Sequence, residues 1–256
     1  MFYLCRPTLF DEEKGQETRI LEGGEWERER WWYKLIQVCR RWRYIILDSV
    51  SHLDLCLLCT YGTPVADMLA YSPPLPLIID HLDESHDITT RDEEDILLAL
   101  QHHDRVRRIR LQIPIPNLRK IFIAMDEEFP MLEFLYVEAL GDDDYTSLIL
   151  PTTFQAPHLR HLSLNSVVYP VGSPLITTAT GLVTLMLGPI PLSTYISPNQ
   201  LLRWLSLLPQ LEIFAITFLS PIPSRDVESH LLHMPIMTHV TLPYLRWVCS
   251  TVSVPT

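Results

Sequence analysis

The sequence predicts an α/β fold in which short parallel strands, each followed by a helical or irregular crossover, stack into one curved sheet behind a small helical head. Three observations point there. An apolar pattern recurs at a nearly constant interval, helix-period segments lie between its copies, and 21 prolines against eight glycines in 256 residues keep every element short. Proline removes a backbone donor and breaks helix and strand interiors, so long uninterrupted helices are not expected. A chain of this length with 47% hydrophobic residues can bury a substantial core.

The recurring pattern is Leu-x-x-Leu-x-Leu with apolar substitutes. It reads Val106-x-x-Ile109-x-Leu111, Leu132-x-x-Leu135-x-Val137, Leu159-x-x-Leu162-x-Leu164, Leu182-x-x-Leu185-x-Leu187, Leu211-x-x-Phe214-x-Ile216 and Met237-x-x-Val240-x-Leu242. Successive copies begin 26, 27, 23, 29 and 26 residues apart, the spacing of a leucine-rich-repeat-like solenoid with a curved parallel sheet. In such an array no unit buries its apolar face alone, and stacked neighbours complete a continuous core. The runs beginning at Leu53 and Leu75 read as earlier strands, and Leu245-x-x-Val248 as the beginning of a further unit. Helical spacing marks Ile96, Leu97 and Leu100, then Leu118, Ile121, Phe122 and Met125, then Leu201, Leu202, Leu205 and Leu208. Asp92-Glu93-Glu94-Asp95 and Ser197-Pro198 suit first turns. The alternative architecture is an irregular α/β domain, since short apolar runs do not by themselves fix topology.

The chain divides into a head, residues 1–50, and a repeat domain, residues 51–256. Nine acids balance nine bases through residue 48, which leaves 22 acids and 11 bases for the body and a net charge of -11 overall. That field repels phosphate backbones, so nucleic acid is not an expected partner. Between Arg160 and Arg203 no charged residue occurs, but five prolines interrupt the stretch and no membrane span is expected. Five cysteines without framework spacing, and no leader-like N-terminus, fit free thiols in the cytosol or nucleus.

In the head, Leu35, Val38, Trp42 and Ile45 fall on one face of a single expected helix, with Trp31, Trp32 and Tyr33 placed to pack it on the first strands. The string Val38-Cys39-Arg40-Arg41-Trp42-Arg43, followed by Ile45-Ile46 and His52-Leu53-Asp54-Leu55, resembles the end of an F-box. With Cys59-Thr60-Tyr61-Gly62-Thr63-Pro64 and Pro73-Pro74-Leu75-Pro76-Leu77 it is similar to fungal F-box-like proteins with leucine-rich repeats. The resemblance implies a substrate-recognition subunit of a Skp-cullin-F-box type ubiquitin ligase. Leu35, Val38, Cys39, Trp42 and Arg43 would then meet a Skp-type adaptor, and the repeats would hold an unknown protein substrate. The usual Leu-Pro opening of an F-box is absent. Met1-Phe2-Tyr3-Leu4 stands in its place, and a charged insertion separates it from the final helix. That departure motivates a second reading, an adaptor-independent repeat scaffold with a decayed F-box; on it, Val38 to Arg43 form a capping helix with Trp42 packed inside.

Catalytic and metal chemistry find little footing, and no cofactor is expected. Cys56-x-x-Cys59 lacks a second pair for zinc and would point its thiols to opposite sides of a strand. His102-His103, His158-x-x-His161 and His230-x-x-His233 lack an evident third ligand, and Asp142-Asp143-Asp144 lacks the calcium-loop pattern. No nucleophile elbow, Walker loop or dinucleotide fingerprint occurs, which leaves a hydrolase as the remotest reading. If the repeat leucines point inward, the residues flanking and separating the last two line the other face of the sheet. The expected partner-binding stripe is Arg108 and Arg110; Phe134, Tyr136 and Glu138; His161, Ser163 and Asn165; Thr184 and Met186; then Ile213, Thr217, His239 and Thr241.

Overall fold

The computed structural model describes residues 31–49, 53–82, 87–141, 148–170, 172–190, 196, 198–219 and 240–253. Seven helices and eight strands are found among them. In chain order they are α1 (Trp31–Ile36), α2 (Arg40–Asp48), β1 (Leu57–Cys59), α3 (Val65–Tyr71), β2 (Leu77–His81), α4 (Thr90–Leu100), β3 (Val106–Pro114) and α5 (Ile115–Ala124). There follow β4 (Phe134–Leu140), β5 (His161–Asn165), α6 (Leu175–Thr178), β6 (Thr184–Ile190), α7 (Pro198–Ser206), β7 (Ile213–Leu219) and β8 (Trp247–Ser253). All eight strands form one parallel sheet in the order β1 to β8, so every strand pairs with its neighbours in sequence. The α/β class and the parallel sheet are as expected.

The repeat leucines are the core. In the first five copies all three apolar positions are buried, from Val106, Ile109 and Leu111 to Leu211, Phe214 and Ile216. Register joins them into rows across the sheet: Ile79, Ile109, Leu135, Leu162, Leu185 and Phe214 form one, and His81, Leu111, Val137, Leu164, Leu187 and Ile216 the next. Val65, Ile96, Leu100, Leu118 and Ile121 of α3, α4 and α5 bury into the same cluster, which places the helices on this core face. The first and second apolar positions of a copy are three apart, which strict alternation would send to opposite faces. Register accommodates this in β3 by a slip: Leu77 pairs with Val106 but Ile78 with Arg108, leaving Arg107 as an extra residue.

Local chemistry sets the helix starts. Thr89 caps α4 in a reciprocal box, its hydroxyl accepting from the Asp92 N–H while the Asp92 carboxylate accepts from the Thr89 N–H. Proline in the first turn of α5 occupies a position that has no intrahelical N–H bond to lose. Glycine is required at residue 188, where a Cβ would come within 2.6 Å of Thr217 Cβ on the next strand.

Three expectations need correction. The single helix through Leu35 and Ile45 is two helices, because Cys39 is extended (φ −163°, ψ 170°). In a continuous helix the Ile36 carbonyl would take the Arg40 N–H; here it accepts from Arg43 Nε at 3.1 Å. In the sixth repeat copy the described positions, Val240 and Leu242, lie outside the sheet, and the eighth strand comes from the segment after Leu245. Met237 lies outside the described residues. Two short helices, α3 and α6, had no counterpart in the apolar spacing.

Candidate interaction surface

Alternation along each strand sends every second residue away from the core, and in-register stacking turns those residues into rows on the second face. The first row runs Leu58, Ile78, Arg108, Phe134, His161, Thr184, Ile213 and Trp247. The next runs Asp80, Arg110, Tyr136, Ser163, Met186, Ala215 and Cys249. A third carries Gln112, Glu138, Asn165 and Gly188. The ten stripe residues from Arg108 to Met186 therefore do share one face.

Neighbours within these rows touch. The Arg108 guanidinium lies 5.9 Å from the centre of the Phe134 ring, and that ring lies 5.6 Å from His161. His161 Nδ1 is 3.1 Å from Thr184 Oγ1. Burial, then the Arg160 and Arg108 charges, hold the His161 imidazole below its ordinary pKa despite Glu133 and Glu212 nearby. In the third row Glu138 is a hub: Oε2 accepts from Tyr136 OH at 2.5 Å and Gln112 Nε2 at 3.1 Å, and Oε1 from Asn165 Nδ2 at 2.7 Å. Three successive strands thus fix one carboxylate.

Access is uneven along the stripe. Arg108, Phe134, Glu138, His161, Ser163, Asn165 and Met186 are half-buried, and so are Ile213 and Thr217. Arg110, Tyr136 and Thr184 are buried, so they brace the face rather than present it to a partner. Arg110 Nη1 lies 3.4 Å from Asp80 Oδ2, with both side chains nearly inaccessible. Thr241 is exposed but belongs to no strand, and His239 lies outside the described residues. Gln112 was missed, although it continues the alternation of Arg108 and Arg110.

The head presents a different surface. Val38, Cys39, Trp42 and Arg43 are exposed, whereas Leu35 packs against the core, whose head-side members include the buried Trp32 and Ile46. Trp42 is thus not the packed aromatic of a capping helix; Trp32, stacked at 4.3 Å on Tyr33, has that place. On α2, Arg40, Arg43, Tyr44, Leu47 and Asp48 line an open hollow of about 380 Å³.

Metal and nucleophile candidates separate in space. Cys56 and Cys59 belong to clusters on opposite faces, and burial together with Asp95 pushes the Cys59 thiol up to about 12, which keeps it protonated. Among the described residues no three His, Cys, Asp or Glu side chains gather to hold a metal, and no helix is long and apolar enough to cross a membrane. His103 meets the Glu128 carbonyl at 2.8 Å. His230, His233 and the run Asp142-Asp143-Asp144 lie outside the described residues, as do Met1-Phe2-Tyr3-Leu4 and the charged insertion before Trp31.

Sequence reasoning also passed over a buried titratable group. His81 occupies a core-row position otherwise held by Leu, Val or Ile and is 1% exposed. Its ring lies edge-on to Tyr61 at 4.5 Å, and Nδ1 has no hydrogen-bond partner among the described residues. Burial drives its pKa down to about 4 against the pull of Asp92. Burial raises Asp92 in turn, but hydrogen bonds from Thr89 and Gly62 outweigh it and leave that carboxyl below its ordinary value. Compared with protein-family models, curated proteins and solved structures, the chain matches none.

Proposed function

We propose that the chain is a non-enzymatic protein-binding module: a leucine-rich-repeat-like solenoid whose second face holds a partner protein, behind an F-box-derived head that joins it to a Skp-type adaptor. The observation that carries this reading is the row system on β3 to β6, where aromatic, cationic and polar side chains are tied to one another across strands, with the half-buried Met186 on the same face. Arginine, tyrosine, methionine and aromatic residues of this kind are enriched where proteins meet. The neighbour-by-neighbour strand order supports the solenoid, since each unit adds its strand beside the last. Exposure of Val38, Cys39, Trp42 and Arg43 supports the head assignment, since an adaptor needs them uncovered.

A hydrolase draws no comparable support. The His161–Thr184 pair puts a base beside a hydroxyl, but Thr184 is 3% exposed, and among the described residues no carboxylate is bonded to the His161 ring to orient it. The test is co-purification of the full chain with a Skp-type adaptor, alongside Trp42→Ala with circular dichroism as the folding control. Stable association lost on substitution is the expected result. A folded wild-type chain that never associates overturns the adaptor half and leaves an adaptor-independent scaffold.

A further inference from the structure

Glu138 differs from the other ordered carboxylates of the sheet region. Asp80, Glu133 and Glu212 each face a guanidinium, from Arg110, Arg107 and Arg246. Glu93 of α4 holds Lys120 at 2.7 Å. Glu138 is held by a phenol and two carboxamides, all neutral, and among the described residues no lysine, arginine or histidine is paired with it. Its three neighbours therefore fix its position without cancelling its charge. Ordering the carboxylate beforehand removes a cost that a floppy surface glutamate would meet on binding.

The acceptor is not saturated. A carboxylate offers about four lone-pair sites, and three are used. Oε1 takes only the Asn165 amide and keeps room for one further donor. The side chain is half-buried on the face that looks away from the helices, so an approaching donor would be partly desolvated as it arrives. The whole chain adds a long-range bias, because a net charge of -11 attracts cationic segments.

From this geometry we infer that Glu138, fixed by Gln112, Tyr136 and Asn165, is a cation-accepting anchor that selects partner segments carrying a lysine or arginine side chain. Oε2 already accepts two bonds, so a two-pronged guanidinium clamp across both oxygens is blocked; a single N–H donor, as lysine supplies, fits the remaining site on Oε1. The inference rests on the second face being the partner surface proposed above.

The experiment uses the purified full chain and four pools of labelled nine-residue peptides. The central residue is lysine, arginine, glutamine or glutamate, and the other positions are an uncharged mixture; binding is read by fluorescence polarisation. A lone charge-assisted hydrogen bond favours the lysine pool over the glutamine pool by about tenfold or more, with arginine between them. Glu138→Gln should reduce that preference to within about twofold. Asn165→Ala with Gln112→Ala keeps the charge but releases its supports, and should weaken the preference several-fold, which covers the case in which Glu138→Gln misfolds. Ser163→Trp, placed in the middle of the face, should reduce binding of every pool. Equal binding of all pools that Ser163→Trp abolishes would overturn the cationic anchor and leave the partner surface standing. Preference for lysine that survives Glu138→Gln would overturn the anchor also, and a folded chain that binds no pool would overturn both.

Discussion

The second face of the sheet is two different materials. Across β1 and β2 it is sealed: Cys56, Leu58 and Ile78 form a small apolar cluster of their own, and the Asp80–Arg110 pair beside it is buried. Across β4 and β5 the same alternating positions hold Phe134, Glu138, His161, Ser163 and Asn165, all half-buried, with Phe134 against His161 and Glu138 bonded to Asn165. Both regions are parallel and, past the slip at Arg107, paired residue for residue. Side-chain choice at every second position decides whether a sheet face serves as core or as surface, so substitutions at equivalent positions should have unequal effects.

The largest effect is expected at the sealed end. Asp80→Ala removes one partner of the buried Arg110 guanidinium and should cost about 3–5 kcal/mol in urea unfolding. A cost below about 1 kcal/mol would mean that Arg110 is compensated without Asp80 and that the contrast between the two regions is smaller than drawn.

Acid should discriminate the two histidines next. His81 keeps a folded pKa of about 4 against an ordinary 6.5, so the unfolded chain takes up a proton that the folded chain refuses. Stability is then complete above about pH 6.5, falls by about 3 kcal/mol as pH drops to about 4, and loses nothing more from this group below that. Asp92 contributes its own loss only around and below the ordinary carboxylate range. His81→Phe should flatten the profile between pH 6.5 and 4.5, leaving the smaller loss in the same direction that the lowered pKa of His161 supplies. An unchanged slope in His81→Phe would place the titration elsewhere.

Gly188→Ala tests how tightly β6 and β7 approach. Its methyl would meet Thr217 Cβ, and about 1–3 kcal/mol should be lost, recovered in part by Thr217→Gly, which removes the opposing side chain. The smallest change belongs to Ser163→Ala in the middle of the open region, within about 0.5 kcal/mol of wild type by thermal melt. A larger loss there would show the open face to be packed as firmly as the sealed one.

Much of this architecture was legible in the sequence because leucine spacing directly reports which residues alternate into the core. Five copies of the pattern mark β3 to β7. The sixth misled because Val240 and Leu242 satisfy the spacing without pairing, whereas Trp247, Val248 and Cys249 find register against β7. In the head, periodicity could not reveal the break at Cys39, since no proline or glycine marks it and the stabilising contact is a side chain from the following helix. The stripe was legible as a face but not in its chemistry. That Arg110 would be buried and Glu138 exempt from ion pairing depends on which strands lie side by side. His81 was invisible for a related reason, since a histidine at the end of a short apolar run gives no sign of facing Tyr61 and Asp92.

The order of the strands has a consequence for how the molecule is made. Leu57 meets Leu77, Phe134 meets His161 and Ile213 meets Trp247, so each pairing joins segments only a few tens of residues apart in the chain. The loops closed are short, and their closure entropy stays modest at every step. During synthesis each strand from β2 onward therefore finds its template already laid down, and among the described strands only β1 waits for a later segment.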